Sequence, residues 1–146
     1  MKSKKNIWFE FIEGPVSQQL ISDAEQNTDK SSGAVVSFRG YVRDDTIGDS
    51  RVQSIEFSAH KEIAHNEATA ILKQIIAKYK LHTARIIHSL GIIDAGKVCF
   101  FVKVSSGHRK EAFRAIEEIV DVFKEKVPVF GKEILANGKY AWKENK

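Results

Sequence analysis

LHTARIIHSLGIIDAGKVCFFVKVSS, residues 81–106, is the stretch that decides the architecture. Its two ends, 81–89 and 97–106, are rich in β-branched and aromatic residues and predict strands. Between them, Gly91 and Asp94-Ala95-Gly96 carry turn chemistry. The pair therefore predicts an antiparallel hairpin rather than half of a crossover unit. Directly after it comes Ser105-Ser106-Gly107-His108-Arg109, and then Phe113, Ile116, Ile119, Val120 and Phe123 recur at helical spacing. A helix over 108–126 is expected, ending before Pro128 because a residue preceding proline avoids α geometry.

Working outward, residues 6–12 predict a first strand. Gly14-Pro15 ends it, with Pro15 placed to open a helix over 16–25. A strand over 34–42 follows, in which Gly33 and Gly40 suggest a tight start and a close backbone approach. Residues 43–50 have the polarity of a mobile loop, and 51–58 predict another strand. Ala64, Ala68, Ile71, Leu72, Ile75, Ile76 and Tyr79 mark the clearest amphipathic helix. Strands over 129–135 and 139–143 flank Asn137-Gly138, a strong hairpin signal. The order is β-α-β-β-α-β-β-α-β-β with three helices. Hairpins outnumber β-α-β alternation, so the fold class is α+β with a mostly antiparallel sheet.

The 146 residues carry no repeat or linker and suit a single domain over 1–146. With 42% hydrophobic residues and only 2 Pro, disorder and low complexity are excluded. No apolar run approaches the roughly 20 residues of a membrane span. No apolar leader follows Met1, so a cytoplasmic location is expected. Cys99 is alone, which excludes an internal disulfide and a structural zinc site, and predicts a core thiol. Of the formal net charge of +4, three units lie in Lys2, Lys4 and Lys5. Residues 1–5 thus read as a flexible basic tail, and the body offers no concentrated nucleic-acid face.

Four places could carry chemistry. Ser106-Gly107-His108-Arg109, at a strand-to-helix junction, suits an anion, because free N–H groups and the helix dipole point at it. Plain capping would explain the same residues. Lys124 falls just beyond the apolar arc of its helix, where its amine reaches a pocket rim, as a merely snorkelling lysine also would. Arg43 opens the loop at 43–50, and Lys132-Glu133 follows the Pro128 turn. Surface ion pairing accounts for either. These are cations with little acid among them, which fits a bound anion better than hydrolysis by paired carboxylates.

Read together and in order, Gly33-Ala-Val-Val-Ser-Phe-Arg-Gly-Tyr-Val-Arg43, Gly48-Asp49, Ser106-Gly-His-Arg109, Asp121-Val-Phe-Lys124 and Val127-Pro128-Val-Phe-Gly-Lys-Glu133 resemble the catalytic subunits of molybdopterin synthase. The resemblance implies an α/β hammerhead fold. It implies a sulfurtransferase that converts cyclic pyranopterin monophosphate to molybdopterin. The sulfur comes from the C-terminal Gly-Gly thiocarboxylate of a small ubiquitin-like subunit. A homodimer of this chain inside a heterotetramer is implied, with no cofactor or metal at this step and no nucleic-acid or membrane partner. By position, Tyr41, Val42, Arg43, His108, Arg109, Lys124, Gly131, Lys132 and Glu133 correspond to the substrate site, with Lys124 as the essential lysine. Three positions depart from the family pattern. Gly131 stands where many members have a second functional lysine, a role expected to pass to Lys132. Ser89 stands where an Arg is common, and His60 where a Tyr is usual. A non-catalytic anion- or RNA-binding module on the same scaffold is the competing reading.

Overall fold

A computed structural model describes residues 5–26 and 29–143. The basic tail expected over 1–5 lies, apart from Lys5, outside the described residues. The elements run β1 (Ile7–Glu13), α1 (Gln18–Glu25), β2 (Ala34–Tyr41), β3 (Thr46–Ile47), β4 (Ser50–Ala59), α2 (Lys61–Tyr79), β5 (Leu81–Asp94), β6 (Val98–Ser106), α3 (Arg109–Lys126), β7 (Val129–Leu135) and β8 (Tyr140–Trp142). Helices and long strands fall where hydrophobic spacing puts them. The expected loop over 43–50 differs: it contains β3, folded back on the start of β4 through a turn in which Gly48 has φ +64°.

One sheet runs β2-β6-β5-β4-β7-β8, with β1 added to β5 and β3 to β4. β5 organises it. Its first half pairs antiparallel with β6 and, on the other edge, parallel with β1 from Ala84 to Leu90. From Gly91 to Asp94 that second edge passes to β4, in antiparallel register. The expected strand break near residue 89 is therefore a bend within one 14-residue strand. Gly91 makes it possible, since its φ of +86° kinks the chain at the point where β1 ends and β4 takes over.

Strand alternation divides the core. Ile86, Phe100, Val102 and Val104 face a large apolar cluster beneath α2 and α3, whereas Ile87 and Phe101 face a smaller one under α1. α1 begins at Gln18 rather than at the expected Val16. The Ser17 hydroxyl accepts from the Leu20 N–H at 3.1 Å and sets the start. Val16 is buried and tied by its N–H to the Val98 carbonyl at 2.9 Å.

α3 also turns slightly from expectation. Phe113 is 58% exposed, while Ala112 and Ala115 are fully buried. The alanines let the helix approach β2 and β6 closely, and Phe113 lies about 100° around from Ala112. Both expected glycine contacts are present. A Cβ on Gly33 would collide with the Gly107 carbonyl oxygen, and one on Gly40 would sit 3.2 Å from the Phe100 Cβ.

Candidate functional site

The C-terminal end of α3, the end of β2 and the β7–β8 hairpin enclose a cavity. Phe57, His88, Cys99, Phe100 and Phe123 form its inner wall, and Tyr41, Lys124, Gly131 and Lys143 stand at its mouth. Lys124 is in the last turn of α3, where a cation also complements the helix dipole.

His88 is the most constrained polar group in this wall. Its ring stacks on Phe123 with centroids 5.7 Å apart, and Phe57 and Phe100 lie at 5.1 and 5.4 Å. Burial drives its pKa down to about 4. The hydrogen bond to the Ser89 carbonyl opposes this, and the charges of Lys143 and Lys124 add to it. Nδ1 lies 2.7 Å from that carbonyl, so Nδ1 carries the proton and Nε2 is left as an acceptor. Cys99 is buried, its Sγ 3.6 Å from the Gly40 carbonyl, and burial pushes the thiol up, as a core thiol requires.

The site residues expected from sequence fall in five places. Tyr41, Lys124 and Gly131 share the cavity. Arg43 and Glu133 line an adjoining one that also reaches Tyr41, Trp142 and Lys143. Arg43 holds Asp45 at 3.0 Å in an exposed pair, worth about 0–1 kcal/mol, which a stronger anion displaces. Val42 is core: its N–H donates to the Lys97 carbonyl at 3.0 Å and its carbonyl accepts from Gly96 at 2.7 Å. It fixes the end of β2 but presents no side chain.

Lys132 points elsewhere. β7 passes through Gly131 in regular register with β4, so the Lys132 side chain emerges on the opposite face. Its ammonium sits 4.4 Å from the centroid of the Tyr140 ring. The turn that would have brought it beside Lys124 does not form.

His108 and Arg109 are exposed at the other end of the molecule. β2 runs antiparallel to β6, with Ala34 opposite Ser106 and Tyr41 opposite Val98, so the start of α3 lies beside the start of β2. Arg43 lies two residues past the far end of that strand, roughly 30 Å from Ala34 at about 3.3 Å per residue. The expected convergence of Arg43 with His108 and Arg109 is thus absent within one chain.

Sequence reading missed His88 and Lys143 as parts of the cavity. The signal for Lys143 was the hairpin itself. A three-residue loop, Ala136-Asn137-Gly138 with Gly138 at φ +86°, sets Ile134 opposite Tyr140 and Lys132 opposite Trp142. Gly131 must then face Lys143.

Comparison with known proteins gives a consistent result. The model of the MoaE protein family matches residues 13–126. The chain is 35% identical over 111 residues to the molybdopterin synthase catalytic subunit of Thermoplasma volcanium, covering 76% of this chain and 80% of that one. Among solved structures, molybdopterin synthase from Staphylococcus aureus superposes with a TM-score of 0.78 at 29% identity, over 96% of both chains. The complex of subunits 1 and 2 of the molybdopterin-converting factor from Helicobacter pylori shares the fold, with a TM-score of 0.78 at 20% identity over 94% of this chain and 91% of that one. A match across this much of the sequence, carried by the same α+β sheet, makes the chain a member of the MoaE family.

Proposed function

We propose that this chain is the catalytic subunit of a molybdopterin synthase and that the Lys124 cavity is where sulfur is transferred. The small subunit's thiocarboxylate sulfur bonds to a side-chain carbon of cyclic pyranopterin monophosphate as that carbon's C–O bond breaks. The oxygen leaves as water from the carbonyl-level carbon, or with the phosphate when the cyclic ester opens. Water then cleaves the acyl C–S bond, and the acyl carbon returns as a carboxylate. Two such transfers make the dithiolene. The observation that carries this reading is Lys124 at the mouth of an aromatic-walled cavity, in a chain of this family. Phe57, Phe100 and Phe123 keep that wall dry, which strengthens the field of a nearby ammonium. Lys124 is then placed to stabilise negative charge or move a proton at the reacting centre.

The assembly proposed is a homodimer with a small subunit on each copy, and the step uses no resident metal. The solved Helicobacter complex, of two different subunits, supports the partner type. No described helix is long and apolar enough to cross a membrane.

The test is reconstitution with thiocarboxylated small subunit and cyclic pterin. Lys124 is exposed, so Lys124→Ala should shift stability by no more than about 0.5 kcal/mol. Product formation should nevertheless fall by roughly 10²–10⁴-fold. Full activity in Lys124→Ala would overturn the assignment, and an anion- or RNA-binding module would give no product even from the wild type.

A further inference from the structure

We propose that Lys143 is a second substrate-contacting lysine of the Lys124 cavity, holding an anionic group of the reactants, and that Gly131 is the residue that makes room for it. This rests on the reading of that cavity as the sulfur-transfer site.

Geometry supports it in three steps. First, the β7–β8 register places Lys143 across from Gly131, and the Lys143 N–H donates to the Gly131 carbonyl at 2.8 Å. Directly opposed residues of an antiparallel pair share a face, and this face is the cavity's. Second, Gly131 leaves a gap there. A Cβ built on it would lie 3.1 Å from Ile55 Cγ2, 3.3 Å from Phe57 Cε1 and 3.4 Å from the Lys143 Cβ. The root of the Lys143 side chain therefore lies against a position kept bare, beside apolar neighbours that suit its methylenes. Third, Lys143 borders the Lys124 cavity and both adjoining ones, including that lined by Arg43. An anion entering from any of them passes it.

The charge of Lys143 is felt inside. It acts on both His88 and Cys99 in the direction expected of a nearby cation, as does Lys124. Two ammonium groups facing one partly apolar cavity suit a phosphate or a thiocarboxylate, since either anion offsets their repulsion. Lys132, on the opposite face over Tyr140, takes no part.

Two measurements test this. The first is the His88 ring titration followed by NMR, with Tyr41, Cys99, Lys124 and Lys143 the other ionisable groups bordering its cavity. Lys143→Ala should raise the His88 pKa above about 4, and no change would remove Lys143's charge from the cavity and overturn the proposal. The second is steady-state turnover with each substrate varied separately. Lys143→Ala should lower kcat/KM by roughly 10- to 100-fold, the loss typical of a charged hydrogen bond. Lys143→Arg should recover much of it, and Lys132→Ala should stay near wild type. A raised KM for the pterin identifies the phosphate as the anion, and a raised KM for the small subunit identifies the thiocarboxylate. Wild-type kcat/KM for both substrates in Lys143→Ala would overturn this proposal and leave the proposed function standing. A wild-type protein that makes no product would instead fell the proposed function, and with it Lys143's contact to substrate.

Discussion

His88 shows how one residue couples the cavity to the stability of the fold. Enclosed by Phe57, Phe100 and Phe123, it titrates near 4 in the folded chain, against about 6.5 when exposed. Between those values the unfolded chain binds more protons than the folded one. Stability is thus fully present above about pH 6.5 and falls as the pH is lowered toward 4. The loss from this residue is on the order of 3 kcal/mol. In His88→Phe, chemical denaturation at a series of pH values should show a flatter profile over that window; an unchanged slope would assign the acid sensitivity to other groups. Neither His88 nor Lys143 was legible in the sequence as a cavity residue, whereas Lys124 was. A helix fixes the direction of a side chain from its own spacing, so the edge position of Lys124 follows from Phe123 and its neighbours. The face of Lys132 depends on pairing with β4, which no local pattern states, and that of Lys143 on the hairpin register, which Asn137-Gly138 signals without fixing the loop length.

Among elements, those with a clean period were readable. α2 and α3 declare themselves by apolar spacing, and β7 by its place between Pro128 and the Asn137-Gly138 hairpin signal. The junctions were harder. β5 reads as two segments because Gly91 interrupts it, yet its ladder continues on a different partner strand. The parallel pairing of β1 with β5 joins segments more than seventy residues apart, and nothing in β1 records it. Gly33 is the junction that sequence did flag, and it yields a test at this scale. Its N–H donates to the Ser106 carbonyl at 3.0 Å, and its bare Cα lies against the Gly107 carbonyl. In Gly33→Ala the start of β2 and the loop entering α3 must separate, because both contacting atoms belong to backbone. A destabilisation of roughly 1–3 kcal/mol is expected by denaturant titration. The His88 titration, at the far end of β2, should not move. Wild-type stability in this variant would mean that the 107–108 loop yields freely.

At the scale of the whole molecule, the cations fall into two groups that one small ligand does not span. Arg109 and Lys124 stand fifteen residues apart on α3, about 22 Å at 1.5 Å per residue. If His108 and Arg109 serve the same reaction as Lys124, they do so from another copy of the chain. A homodimer with twofold symmetry provides this twice, each copy lending its α3 N-terminus to its partner's cavity. β2, an edge strand starting beside Gly107, leaves that end of the sheet open to a neighbour. Subunit mixing decides between this arrangement and a site confined to one chain. Lys124→Ala and Arg109→Ala are each expected to be severely impaired alone. After the two are unfolded together and refolded, half the dimers should be mixed, and each mixed dimer should contain one site with both wild-type residues. Turnover should then return to about a quarter of the wild-type value per chain. A mixture no more active than its two components would rule out a site shared between copies.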